Sequence, residues 1–411
     1  MKCLIFLLSI FLCSLALAQD GAARLDTFFE RVDQDGDGKI SKAELEAAGQ
    51  RTTWAEKADQ NQDGLIDKAE VAGFFRRVSS RANESAGEVA IVQQTKVPEG
   101  APITQAGIAS AEKYSAQHDG HSFLLMLDGQ VIRESYANGW DQNTGHRLAS
   151  GTKSFSGALL ALAVKDGLLT LDEPVSNTLT EWKDDERLKV ITIRELLNLT
   201  SGIEPGDNGR VLPYARVVDV KAVSGAGEAF RYGPNAFQLF GEVIKRKLAL
   251  HEDLPFDDPL AYLEAKVFDP IGMTFTEWRR DVNGMPHLPS GAFITAPEWG
   301  KFGQWLLEEG ELGGAALVDK NVLKEATRPV SAVNPAYGLT FWLLGGRTDA
   351  ERPWLEGAYL AAGAGKQCLY VLPAAEMVLV RQGESRTFEN LDFLDALFSL
   401  DSASDFGENG E

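Results

Sequence analysis

Cysteine is nearly missing from this 411-residue chain: there are three, and Cys3 and Cys13 fall within an apolar leader. The remaining Cys368, in the apolar run CLYVLP, has no partner, so no internal disulfide is available and the core must hold by packing alone. Histidine is also scarce, at five, and His118, His121, His146, His251 and His287 show no metal-ligand spacing and no H-E-x-x-H. Positive charge is in deficit. Forty Lys and Arg face 60 Asp and Glu, for a formal net charge of −20, and such a surface repels phosphate backbones and excludes nucleic acid as a partner. No glycine-rich phosphate loop or dinucleotide fingerprint occurs.

Long apolar runs are limited to one, the opening MKCLIFLLSIFLCSLALAQDG. One lysine, a short apolar stretch and a closing Ala-Leu-Ala predict a secretory signal peptide over residues 1–18, cut after Ala18. The run is short for a membrane span and lacks a stop-transfer flank. The mature chain is therefore expected to have no transmembrane segment and to be exported, to a periplasm or outside the cell.

Much of the negative charge sits in two stretches, DQDGDGKISKAE (33–44) and DQNQDGLIDKAE (59–70). Both fit the EF-hand template D-x-[DN]-x-[DN]-G-x5-E, in which alternating oxygen ligands wrap a calcium ion and a glycine makes the sharp turn. The first loop offers Asp33, Asp35, Asp37, the Lys39 carbonyl, Ser41 and Glu44; the second offers Asp59, Asn61, Asp63, the Leu65 carbonyl, Asp67 and Glu70. Ile40 and Ile66 are placed to pair between the loops. Leu25, Phe28, Phe29 and Val32 precede the first loop with helical spacing, and Val71, Phe74, Phe75 and Val78 follow the second. The loops start 26 residues apart (59 − 33), which leaves only short helices between them. Calcium is expected as a structural or regulatory ligand, with a stabilising or docking role favoured over a switch and a cell-wall or protein partner possible for this module. The EF-hand pair spans 19–78, and a polar stretch, 79–100, reads as a linker in which Val89 to Val92 could pair with the next domain.

The rest, 101–400, alternates strand and helix signals. SFLLMLDGQVIRESYANG (122–139) turns at Asp128-Gly129, a strong hairpin signal. SFSGALLALAVK (154–165) predicts a buried helix, residues 192–199 another, QCLYVLP and EMVLVRQG two strands joined at Pro373, and 388–400 a closing amphipathic helix. Strands at both ends with helices between predict an α+β domain, and the acidic tail 401–411 reads as disordered.

HRLASGTKSF (146–155) holds Ser150 and Lys153, an S-x-x-K pair. Together with DGLLTLDEPVSNTL (166–179), ITIRELLNLTSGI (191–203), FDPIGMTFTEW (268–278), HLPSGAFITAPEWGKFGQWLLEEGELGG (287–314) and YGLTFWL (337–343), it resembles the serine β-lactamase and penicillin-binding-protein superfamily, in its class C-like and carboxylesterase branch. The resemblance covers nearly all of the large domain. It implies an antiparallel β-lactamase/transpeptidase-like sheet flanked by helices, with a helical domain, here preceded by the small all-α EF-hand pair.

The same resemblance implies the chemistry. Ser150 is the nucleophile, at a helix amino terminus where developing negative charge is favoured. Lys153, its pKa lowered by burial, accepts the serine proton directly or sustains a tyrosinate that does. Tyr232, in FRYGPNAF, aligns with the tyrosine of the family's Tyr-x-Asn motif, its charged form favoured by the nearby ammonium; Asn235 comes one residue later than the pattern and is a candidate substrate contact. YLAAGAGKQCLYVLP (359–373) stands where the family has a Lys- or His-Thr-Gly strand, with Ala361 at the basic position, Lys366 on the strand in a surface role, and Gly363 beside the site. Backbone N–H groups of Ser150 and Ala364 would form the oxyanion hole. Loss of the cation points away from carboxylate-bearing substrates and toward an uncharged small-molecule ester or amide, with Arg231 or Arg381 as a distant source of charge. No cofactor is needed for this catalysis. The rival from another class is a catalytically degenerate domain of the same fold that grips cell-wall peptide or a protein, shaped by calcium.

Overall fold

The computed structural model describes residues 25, 28–48, 55–59, 61, 63–72, 89–345 and 350–399. The leader, the tail, Phe74, Phe75, Val78 and residues 79–88 lie outside the described residues. The chain divides into two compact units, 1–86 and 87–411.

In the smaller unit, strands β1 (Lys39–Ser41) and β2 (Leu65–Asp67) pair antiparallel with Ile40 opposite Ile66. Each strand is the exit of an acidic loop. A helix, α1 (Lys42–Ala47), follows the first. Phe28, Phe29, Val32, Ile40, Leu45, Ile66 and Val71 bury together into one small core, so the apolar positions at helical spacing do face inward.

The larger unit is α+β. Its sheet is built from β3 (Val89–Gln94), β4 (Gly120–Leu127), β5 (Gln130–Ala137), β6 (Trp342–Leu343), β7 (Tyr359–Gly363), β8 (Gln367–Leu372) and β9 (Met377–Gly383). The spatial order is β6-β7-β8-β9-β4-β5-β3, antiparallel throughout. Chain-distant strands β9 and β4 therefore meet in the centre. The β4–β5 hairpin turns on Asp128 (φ 49°) and Gly129 (φ 70°), the two left-handed residues that a tight hairpin turn requires. Residues 89–94 of the expected linker form the edge strand β3, paired with β5.

Strand periodicity divides the core into two layers. Leu124 and Met126 of β4, Leu369 and Val371 of β8, and Val378 and Val380 of β9 join one cluster, with the buried helices α3 (Phe155–Lys165) and α5 (Ala296–Leu307). Their neighbours Phe123, Leu125, Cys368, Tyr370, Met377 and Leu379 join the other, with α2 (Gln105–Gln117) and the closing helix α6 (Asn390–Leu397). Between α3 and α5 in sequence lie the short helix Ile193–Leu197, with a full capping box from Thr192 and Glu195, and α4 (Asn235–Leu248). Cys368 is buried and free, a core hydrophobe as its sequence context implies. Among the described residues no helix is long and apolar enough to cross a membrane.

Candidate active site

Ser150 and Lys153 lie on a 3-10 turn, Ala149–Ser154, that runs straight into α3. With three residues per turn, side chains at i and i+3 eclipse one another, and Lys153 Nζ stands 3.0 Å from Ser150 Oγ. The turn enters through Ala149 at φ 47°, a left-handed conformation that costs a non-glycine residue roughly 1–2 kcal/mol. Surrounding bonds hold it. Thr152 Oγ1 donates to the Ala149 carbonyl, the Ala292 amide donates to Thr152 Oγ1, and the Leu148 amide donates to the Ala292 carbonyl. Strain kept in place at this position presents the next residue, Ser150, to the cleft.

Lys153 is 1% exposed. Its Nζ also donates to the Pro289 carbonyl at 3.1 Å, and the rings of Tyr232 and Phe237 lie 5.0 and 5.5 Å away. Burial disfavours the ammonium and pushes the amine down to about 7. Near neutral pH a large fraction is the free base, whose lone pair can accept the Ser150 proton.

Tyr232 completes the group. Its hydroxyl interacts with the Ser150 side chain and with the side chain of Trp342. Burial raises the phenol pKa, and those two hydrogen bonds only partly oppose the rise. The expectation that the ammonium favours the tyrosinate is thus corrected: burial disfavours both charged forms, and the phenol is raised despite its hydrogen bonds. Trp342, Tyr232, Tyr337 and Phe230 form an aromatic cluster, with Trp342 at 5.6 Å from Tyr232 and 4.9 Å from Tyr337, and Phe230 at 5.4 Å from Tyr337.

The end of β7 lies against the nucleophile turn. A Cβ at Gly363 would overlap the Leu148 carbonyl oxygen, so only glycine permits this approach. Ala361, at the position of the family's cation, is buried. Ala364, exposed, follows the strand in a short turn to β8, in which the half-buried Gly365 and Lys366 take φ 81° and 62°. Lys366 is therefore in the turn rather than on the strand, because its left-handed backbone is what reverses the chain; its Nζ is 3.9 Å from Glu389.

Asn235 begins α4, is buried, and donates through Nδ2 to the Glu204 carbonyl at 2.9 Å, while its amide bonds the Pro205 carbonyl. It packs against Gly206, where a Cβ would overlap Oδ1. This arrangement ties loop 204–206 to α4 and leaves Asn235 Oδ1 buried with no hydrogen-bond partner. Arg231 Nε donates to Ser224 Oγ at 3.3 Å. Arg381, considered as a distant charge for substrate, is fully buried and bonded to backbone carbonyls. Sequence reasoning missed Trp342, Phe237 and the Pro289 carbonyl. Trp342 lies within YGLTFWL, a stretch read as a whole, and nothing in its spacing points to Tyr232.

In the smaller unit, Asp33, Asp35 and Asp37 bring carboxylate oxygens within 4.8 Å of one another. Glu44 Oε1 accepts from the Gln34 amide at 2.7 Å and Oε2 from the Ser41 amide at 2.8 Å, bonds that hold its pKa down to about 2. In the second loop Asp59 Oδ1 is buried with no hydrogen-bond partner, and Glu70 Oε2 accepts from the Asp67 amide. Gly38 and Gly64 both take φ 82°, the sharp turn expected at that loop position. Crowded, all-oxygen and strongly acidic, these donors fit a hard divalent cation such as calcium.

An antiparallel sheet whose strand-end glycine presses on a 3-10 turn carrying a serine beside a buried lysine is the architecture of the β-lactamase fold. Residues 106–389 match the family described as Beta-lactamase, and the chain belongs to it. Residues 25–48 and 56–74 match the EF hand family. An uncharacterized protein of Alkalihalophilus pseudofirmus is 21% identical over 298 residues, covering 64% of this chain and 83% of that protein. Protein flp of Staphylococcus aureus is 27% identical over 189 residues, 41% of this chain and 36% of its own length. Among solved structures, a hydrolase with promiscuous acyltransferase activity (EstCE1) superposes with a TM-score of 0.58 at 16% identity, covering 72% of this chain and 98% of that one. A family VIII carboxylesterase gives 0.56 at 15%, covering 76% and 99%. A penicillin-binding-protein homolog of Caulobacter crescentus gives 0.55 at 15%, covering 72% and 94%. At these identities the structural likeness is one of fold.

Proposed function

We propose that the chain is an exported serine hydrolase that forms an acyl-enzyme at Ser150 on an uncharged ester or amide, and that it carries a calcium-binding EF-hand module. The observation that carries this reading is the 3.0 Å approach of Lys153 Nζ to Ser150 Oγ, with the amine buried and its pKa near 7. A hydroxyl needs an adjacent base to become a nucleophile.

In the first half-reaction Ser150 Oγ attacks the substrate carbonyl carbon while its proton passes to the Lys153 amine. Negative charge grows on the carbonyl oxygen, facing the N–H groups of Ser150 and Ala364. Collapse expels the alcohol or amine, protonated through the neutral Tyr232 hydroxyl, which the Lys153 ammonium reprotonates. Water then attacks the acyl ester with Lys153 again taking the proton, and the free acid leaves as the Lys153 ammonium returns that proton to Ser150 Oγ. Ester plus water gives acid plus alcohol, with the enzyme restored.

Ala361 offers no charge to a substrate carboxylate, and the partly exposed rings of Phe230 and Trp342 favour an apolar group beside the nucleophile. Asp33, Asp35, Asp37, Glu44 and their counterparts in the second loop would hold calcium, which supplies cross-links between loop ligands and so stabilises the small unit. One observation favours the rival, a non-catalytic binder: both the Tyr-x-Asn and the cationic motif depart from the family pattern at Pro234 and Ala361.

The deciding experiment is labelling with a fluorophosphonate probe, beside hydrolysis of a short-chain nitrophenyl ester and a chromogenic cephalosporin. The expected result is labelling and ester turnover that both disappear in Ser150→Ala, with cephalosporin turnover at least about a hundredfold slower, a discrimination of the size that lost polar contacts produce. Absence of labelling in folded, calcium-loaded wild type would establish the binder instead.

A further inference from the structure

Arg381 sits near the end of β9 with no measurable exposure. A guanidinium is costly to bury, and such groups are normally paired with a carboxylate. Here its hydrogen bonds go to neutral oxygens. Nη1 donates to the carbonyls of Gly365 at 2.9 Å and Lys366 at 2.8 Å, Nη2 to the His118 carbonyl at 2.6 Å, and Nε to Ser115 Oγ at 3.3 Å. The Phe388 ring covers the guanidinium at 4.4 Å. Two of the four bonds reach into the turn 364–366, and two reach back to α2 and the residue that ends it.

That turn is where the oxyanion donor Ala364 stands. It contains two consecutive left-handed residues, Gly365 and Lys366, and at the lysine that conformation costs about 1–2 kcal/mol. A second brace acts on the same carbonyl, since the Ser385 amide donates to Gly365 O at 3.1 Å. Gln367 Nε2, the residue after the turn, bonds the Gly383 carbonyl on the neighbouring strand β9. On the other side Gly363 rests on the nucleophile turn at Leu148. The turn is therefore gripped from below by a rigid planar fork and from the side by the Ser150 turn.

We infer that Arg381 is a positioning residue for the oxyanion hole, holding the 364–366 turn by its carbonyls so that the Ala364 amide keeps its aim beside Ser150. The inference rests on the acyl-enzyme reading above. Displacing a single oxyanion donor costs an enzyme mainly in kcat, since the charge it meets exists only in the transition state.

The test compares Arg381→Lys, which keeps the charge but loses the fork, and Gly365→Ala, which leaves Arg381 intact and disturbs the turn itself. Ser115→Ala serves as control, removing one Arg381 contact remote from the turn. The readouts are nitrophenyl-ester kcat and KM, the pH–rate profile, and inhibition by a phenylboronic acid, whose tetrahedral adduct needs the oxyanion hole. Both turn variants should lose about ten- to a hundredfold in kcat with KM within about twofold, an unshifted pH profile and a parallel loss of boronate affinity. Ser115→Ala should lose thermal stability and keep kcat. If Arg381→Lys does not fold, Gly365→Ala decides alone. Unchanged kcat and boronate affinity in folded Gly365→Ala, or in folded Arg381→Lys, would overturn the inference. A wild type that neither labels nor hydrolyses would instead refute the acyl-enzyme reading.

Discussion

Lys153 is asked to be buried and basic at once. Desolvation lowers its pKa from the usual 10.5 to about 7, so folding releases a proton that the unfolded chain keeps. Between pH 7 and 10.5 the unfolded state binds more protons, and stability rises with pH across that window; below pH 7 the full penalty of a buried ammonium remains. Replacing it with methionine removes that penalty. Lys153→Met is expected to stabilise the large unit by up to about 4 kcal/mol at pH 7, offset by the lost bond to Pro289, and to lower kcat by about a hundred- to ten-thousandfold. Thermal melts at pH 7 and pH 10, with turnover measured alongside, check both signs: the melting gain should shrink at the higher pH. In wild type, kcat/KM should climb through pH 7 to a plateau, because only the neutral amine accepts the serine proton. A flat profile from pH 5 to 8 would remove Lys153 as the base.

Among the elements, β7 carries the most consequence for its length. Tyr359 and Ala361 face the helical layer that holds Ser150, and Leu360 and Ala362 face the opposite one. The strand ends at Gly363 because the Leu148 carbonyl leaves no room for a side chain. Gly363→Ala should therefore cost about 2–3 kcal/mol by overpacking and push the nucleophile turn away from the oxyanion turn. Chemical denaturation and ester turnover would both fall; a fully stable, fully active Gly363→Ala would show that the two turns are not in register through this contact. The hairpin, the buried α3 and the two terminal strands were readable from turn residues and periodicity, because these signals are local. The edge strand β3 was less so. Its residues are exposed, and a strand whose side chains face solvent carries little pattern beyond its β-prone composition.

For the whole molecule, the two units carry their own cores and answer to different chemistry. The described core of the small unit includes Phe28, Phe29, Ile40 and Ile66, and cation binding at 100 times its Kd would add about 2.7 kcal/mol per site to its stability. Differential scanning calorimetry with calcium and with chelator should show one transition moving and a second, larger one unmoved, with ester turnover the same in both. Turnover that falls on chelation while the larger transition holds would make the module a regulator rather than a stabiliser.

Each acidic loop was legible because the EF-hand template is contiguous: its candidate ligands, its glycine and its paired isoleucine occur within twelve residues, and in the first loop local backbone geometry brings Asp33, Asp35 and Asp37 together. The same holds for Ser150 and Lys153, which need only one helical turn. Tyr232, Gly363 and Ala364 came within reach through resemblance. Trp342, the Pro289 carbonyl, the clamp formed by Arg381 and the neutral state of Tyr232 depended on tertiary structure. They arise where strands and loops tens to hundreds of residues apart exclude water from one place, and burial of that kind sets both who touches whom and which protons stay on.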